Sequence, residues 1–81
     1  MKIRVLFFAS LSQEIGQSNL EIHLSDNATV SDALATLSRD YPPISKYCSR
    51  LATAVNLDYV GPEHHLCDND ELAVIPPVSG G

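Results

Sequence analysis

The residues best placed to do chemistry in this chain stand at its end. The sequence closes on Pro76-Pro77-Val78-Ser79-Gly80-Gly81, so two of its four glycines occupy the last two positions. Proline cannot donate to a sheet ladder and favours an extended polyproline conformation, so this segment is expected to leave the last strand and project. Gly80 and Gly81 carry no side chain. Such a terminus can thread a narrow tunnel and present the Gly81 carboxyl to a partner's active site. An inert, frayed end is the usual fate of a terminus, but the stiff proline pair and the apolar Val78 favour a functional tail. Other candidates carry less. His64-His65-Leu66-Cys67-Asp68 contains metal-ligand types, yet adjacent histidines point apart and no second pair lies nearby. A polar loop without metal is expected there. Cys48 and Cys67 have the chemistry of persulfide relays, but only Arg50, near Cys48, is placed to depress a thiol pKa. Ser10, Ser12, Asp32 and the histidines offer no nucleophile–base–orienter spacing. Lys46 and Arg50, a basic pair around a tyrosine, read as solvated surface.

The 81 residues make one small domain, and 44% hydrophobic with 19% charged residues is a globular balance. A chain of this size cannot hold both a large catalytic cleft and the core to support it. Ten acidic residues against five basic ones give a net charge of −5. That argues against nucleic acid and anionic membrane as partners, which require a Lys/Arg surplus on one face. Two cysteines do not make a disulfide framework; one bridge between Cys48 and Cys67 is the alternative to the reduced thiols expected. The opening Met1 to Ala9 only faintly imitates a signal peptide, and no stretch approaches the roughly 20 apolar residues of a membrane span. The expectation is a soluble, cytoplasmic protein.

The elements that must position the tail follow from periodicity. Lys2 to Ala9 reads as a strand with Ile3, Val5, Phe7 and Ala9 on one face and Lys2, Arg4, Leu6 and Phe8 on the other. Ser10, with Gln13 three residues on, predicts an N-capped short helix ended by Gly16. Leu20, Ile22 and Leu24 alternate with Glu21 and His23 as a half-buried strand. Thr29 opens the main helix, with Asp32 in its first turn and a stripe of Val30, Ala33, Leu34, Leu37 and Tyr41. Pro42-Pro43 is expected to stop it, and Ile44 to Arg50 to form a loop or one irregular turn. Ala52–Val55 and Tyr59-Val60 predict short strands about a tight Asn56-Leu57-Asp58 connection. Asp68-Asn69-Asp70 predicts a turn with Asn69 left-handed, and Glu71–Ile75 the last strand. One helix crossing one mixed sheet is an α+β roll. With the first and last strands paired in the centre it becomes the ubiquitin-like β-grasp, here residues 1–75 with a projecting tail at 76–81.

The ending Asp70-Glu71-Leu72-Ala73-Val74-Ile75-Pro76-Pro77-Val78-Ser79-Gly80-Gly81 closely resembles that of the small, sulfur-carrier subunits of molybdopterin synthase. Val5-Leu6-Phe7-Phe8-Ala9, Gly16, Ala54-Val55-Asn56 and the Asp68-x-Asp70-Glu71 turn match as well, so the likeness spans the chain. Asn69 departs from the glycine usual there, and asparagine is the next best left-handed residue. The resemblance implies a carrier that is not catalytic alone and binds no permanent cofactor. A carboxylate is a poor electrophile, so Gly81 is first adenylated with ATP by a ubiquitin-activating-enzyme-like adenylyltransferase. A persulfide donor then supplies sulfur, giving a C-terminal thiocarboxylate. That sulfur enters the cyclic pyranopterin monophosphate precursor held by the large subunit, in a heterotetramer of two large and two small subunits. Pro76, Pro77, Val78, Ser79 and Gly80 would enter the partner.

The outer face of the first strand is the expected docking surface. Phe8 shares it with Lys2 and Arg4, where an aromatic gains little in a monomer, and Leu6 and Ile75 join it if the end strands pair. A contiguous exposed apolar patch marks a partner surface, and the resemblance implies that Phe8, Tyr59 and Ile75 meet the large subunit. The same Gly-Gly end also suits a sulfur carrier for thiazole (thiamine) synthesis or tRNA thiolation, a ubiquitin-like protein modifier, or an interaction module with an inert tail.

Overall fold

A computed structural model describes residues 1–47 and 50–77 of the chain. Five strands form one mixed sheet in the order β2-β1-β5-β3-β4. The strands are β1 (Lys2–Phe7), β2 (Asn19–His23), β3 (Ala52–Val55), β4 (Asp58–Val60) and β5 (Glu71–Ile75), with helices α1 (Ala9–Ile15), α2 (Val30–Asp40) and α3 (Pro42–Tyr47). β1 and β5 run parallel at the centre, while β1–β2, β3–β5 and β3–β4 are antiparallel. This is the β-grasp arrangement that the element order implies.

Alternation decides which face is core. Ile3, Val5 and Phe7 of β1 and Leu72 and Val74 of β5 are buried, and α2 adds Val30, Ala33 and Leu37. The α2 start carries the full capping box: Thr29 Oγ1 accepts from the Asp32 N–H at 3.2 Å, and Asp32 Oδ2 accepts from the Thr29 N–H at 2.9 Å. Gly16 ends α1 at φ 86°, a left-handed conformation that suits glycine, and its N–H donates to the Ser12 carbonyl. Asn69 is left-handed as expected, at φ 70°, and its N–H donates to the Lys2 carbonyl at 2.7 Å. That bond ties the start of β1 to the turn before β5.

Three expectations need correction. The first helix begins at Ala9, not after a Ser10 cap, and its N-cap is Phe8 without any side-chain bond. The Phe8 N–H still donates to the Val74 carbonyl, so the ladder runs to residue 8 and the chain must turn at once. Ala9 makes that turn at φ 52°. Pro42-Pro43 does end α2, but it also starts α3, because the first helical turn needs no N–H donors and proline's φ suits it. Burial of Ile44 at 1% exposure fastens that helix to the core. The 61–70 loop is not wholly polar: Leu66 joins the core and its N–H donates to the Ala28 carbonyl at 2.9 Å.

Candidate functional site

The site is built from the outer face of the three strands β1, β5 and β3 and the hairpin beyond them. Register places Leu6 opposite Ala73, Ala73 opposite Ala54, and Ala54 opposite Tyr59, in one row across four strands. Two alanines in the middle of that row make a low floor. Leu6 and Phe8 rise on one side, Leu57 and Tyr59 on the other, with Ile75 and Glu71 at the two ends, enclosing an apolar recess of about 180 Å³. Phe8 keeps the outward parity of β1 because its backbone remains in the ladder. It is 44% exposed, and Tyr59 is 77% exposed. The expected interface residues Phe8, Tyr59 and Ile75 therefore lie around one recess.

Leu57, which the sequence pattern marks only as part of a tight connection, belongs to the same rim. Val55 pairs with Asp58, leaving Asn56 and Leu57 as a two-residue loop. Their φ values of 50° and 77° are those of a type I′ turn. The second position of such a turn favours glycine, and leucine there is disfavoured. It is also 91% exposed. A leucine where turn chemistry calls for glycine was the signal available in the sequence.

Ile75 leads straight to the tail. Pro76 continues the inward parity of Leu72 and Val74 and is buried, while Pro77 is half-buried. Pro76 thus stays with the domain rather than projecting, because the alternation of β5 carries one residue past its last ladder bond. Val78, Ser79, Gly80 and Gly81 lie outside the described residues, as does Cys48.

His64, His65 and Cys67 lie in the loop between β4 and β5. Among the described residues no cluster of three or more His, Cys, Asp or Glu side chains is placed to hold a metal. His65 Nδ1 lies 3.0 Å from the Asn27 carbonyl, and a β-bridge joins Thr29 to His65, so this histidine fastens the loop to the start of α2. Cys67 is an exposed free thiol. Its backbone N–H donates to Asp70 Oδ2 at 2.8 Å, while Asp70 Oδ1 accepts from Asn56 Nδ2 at 2.9 Å. Asn56 Oδ1 accepts the Glu71 N–H, so Asn56 and Asp70 hold the hairpin against β5 and fix the far end of the recess.

Lys46 and Arg50 are better organised than a merely solvated pair. Lys46 Nζ sits 3.0 Å from Glu14 Oε1, and the Tyr47 hydroxyl bonds both Glu14 oxygens. Both cations lie over the Tyr47 ring. The hydrogen bond and the charge of Glu14 raise the Lys46 pKa. This cluster joins α1 to α3, away from the recess.

A small mixed sheet crossed by one main helix, with an apolar recess beside the strand that leads to a Gly-Gly end, places the chain in the ubiquitin-like β-grasp class. The chain belongs to the ThiS family, which it matches over residues 5–81. It is 36% identical over 83 residues to a protein of Chlamydomonas reinhardtii named molybdopterin synthase sulfur carrier subunit, covering 100% of both chains. Small archaeal modifier protein 3 of Haloferax volcanii is 30% identical over 94 residues, again with 100% of both covered. The crystal structure of SAMP1 from Haloferax volcanii superposes with a TM-score of 0.88 at 27% identity, covering 100% of each chain.

Proposed function

We propose that this protein is the sulfur-carrier subunit of a molybdopterin synthase, acting in the cytoplasm and not catalytic alone. The observation that carries the reading is the full-length likeness to a carrier of that name, in a chain ending Pro-Pro-Val-Ser-Gly-Gly. The apolar recess beside the end of β5 gives a partner a place to grip while it receives the tail.

The chemistry belongs to the Gly81 carboxyl. Its oxygen attacks the α-phosphorus of ATP on the adenylyltransferase, pyrophosphate leaves, and the acyl-adenylate has AMP as a good leaving group. The terminal sulfur of a persulfide displaces AMP, and a thiol that cleaves the resulting acyl disulfide leaves the thiocarboxylate. On the large subunit this sulfur attacks a carbon of the cyclic pyranopterin precursor and displaces an oxygen from it. Water then cleaves the thioester so formed, returning the Gly81 carboxylate and leaving the sulfur on the product. A dithiolene holds two sulfurs, so two charged carriers are consumed per product, in keeping with a complex of two large and two small subunits. The large subunit supplies pocket and acid–base groups. ATP is bound by the activating enzyme, and the carrier needs no resident cofactor. Glycine at position 80 has no side chain to obstruct a partner's tunnel, and the apolar side chain of Val78 would suit an apolar groove in that partner.

Incubation with the adenylyltransferase, ATP and a persulfide donor should yield a species heavier by one oxygen-to-sulfur exchange, located by mass spectrometry on Gly81. Deleting Gly81 should abolish sulfur transfer and leave thermal melting unchanged; full transfer by the truncated protein would sink the assignment. The likeness to a small archaeal modifier protein favours a second reading, in which Gly81 forms isopeptide bonds with lysines. Lysine conjugates recovered from the native host would support that reading.

A further inference from the structure

Resting on that carrier reading, we infer that the recess over Ala54 and Ala73 is a socket for one bulky apolar side chain, aromatic or leucine-sized, projecting from the large subunit. The shape is made by register. Ala54 and Ala73 are paired neighbours on β3 and β5, and every larger side chain on this part of the face stands around them. At about 180 Å³ the recess is smaller than the roughly 300–1,000 Å³ of small-molecule sites, and it suits a single side chain. Its lining is apolar apart from Glu71 and the hydroxyl of Tyr59, and Glu71 would repel an anionic group that had given up its water to enter.

Leu57 supplies the second observation. Its left-handed backbone at φ 77° and its 91% exposure are both unfavourable in the free chain. They place an aliphatic wall on the far side of the socket from Leu6 and Phe8. Reach identifies the occupant. Ile75 both lines the recess and precedes the tail, and the five residues from Pro77 to Gly81 span at most about 17 Å when extended. A large subunit that holds Gly81 at its active site therefore comes within that reach of Ile75 and of the recess that Ile75 lines.

The test fills the socket. Ala73→Leu adds apolar surface to an outward-facing strand position, so a partner lying flat on the face would bind equally well or more tightly. A partner that inserts a side chain would be blocked, with affinity falling on the order of tenfold to a hundredfold. Titration calorimetry of the full-length carrier against the large subunit reads the difference, with the melting temperature of the free carrier unchanged. Leu57→Gly relieves the turn and removes a wall: melting should hold or rise while binding weakens about tenfold. If Ala73→Leu melts early, Leu57→Gly decides. Unchanged or tighter binding of the folded variants overturns the socket, as does loss of affinity confined to the activating enzyme or to a second copy of the carrier. A wild-type chain that binds and accepts sulfur on Gly81 while the variants bind equally well separates failure of the socket from failure of the carrier reading.

Discussion

The two faces of β1 and β5 are both apolar near the tail, yet they serve different ends. On the inner face Val5 lies opposite Leu72 and Phe7 opposite Val74, and all four are at 0–2% exposure under the helices. On the outer face Leu6 lies opposite Ala73, and Phe8 and Tyr59 remain open to solvent. Apolar area stabilises only when it leaves water. The inner face therefore stabilises the folded chain, whereas the exposed apolar area of the outer face adds nothing to folding. The difference shows that hydrophobicity alone does not mark the core of a small sheet protein. Cover by a helix does.

Breaking the inner face should have the largest effect on folding. Leu72→Ala at a fully buried position costs about 2–5 kcal/mol, a large share of the stability of so small a domain. Its melting temperature, followed by circular dichroism, should fall by roughly 10–30 °C. Affinity for the large subunit, measured well below that transition, should be retained.

On the outer face the same logic reverses. Phe8→Ala should leave melting nearly unchanged and weaken association by about tenfold to a hundredfold, since burying such a side chain contributes about 1.5–3 kcal/mol. Ile75→Ala should behave likewise. Marked loss of monomer stability at unchanged affinity would mean that Phe8 packs as core and that the contrast between the faces is mistaken.

The smallest effect sharpens the contrast from a third surface. The Lys46 pKa is raised above its ordinary 10.5, chiefly through the hydrogen bond and charge of Glu14. The folded state therefore holds the Lys46 proton more tightly than the unfolded chain. The stabilisation is fully present below pH 10.5 and is lost as pH rises through the raised value. The pair is exposed and its contribution small. Lys46→Met should remove this part of the alkaline loss in a pH series of melts, without changing affinity at the recess.

Much of this was legible in the residues themselves. Alternation placed Ile3, Val5 and Phe7 inward and Phe8 outward, the Thr29–Asp32 pair marked the start of α2, and Gly16 and Asn69 marked two left-handed turns. The Pro-Pro-Val-Ser-Gly-Gly ending carried the resemblance to sulfur carriers. These are local facts, each set by dihedral preference or by neighbours a few positions away. Tertiary structure decided what depends on distant partners. Pro76 is buried against the domain through the inward parity it shares with Val74. Leu66 was drawn from a loop into the core by its bond to Ala28, and Glu14 was brought to Lys46 and Tyr47 by the packing of α1 on α3. The recess itself joins Leu6 to Ala73 and Ala73 to Ala54 through hydrogen-bond ladders between strands that are not neighbours in sequence. No periodicity in one strand can specify the register it will adopt with another, so the two alanines read as ordinary strand residues until the ladders set them side by side.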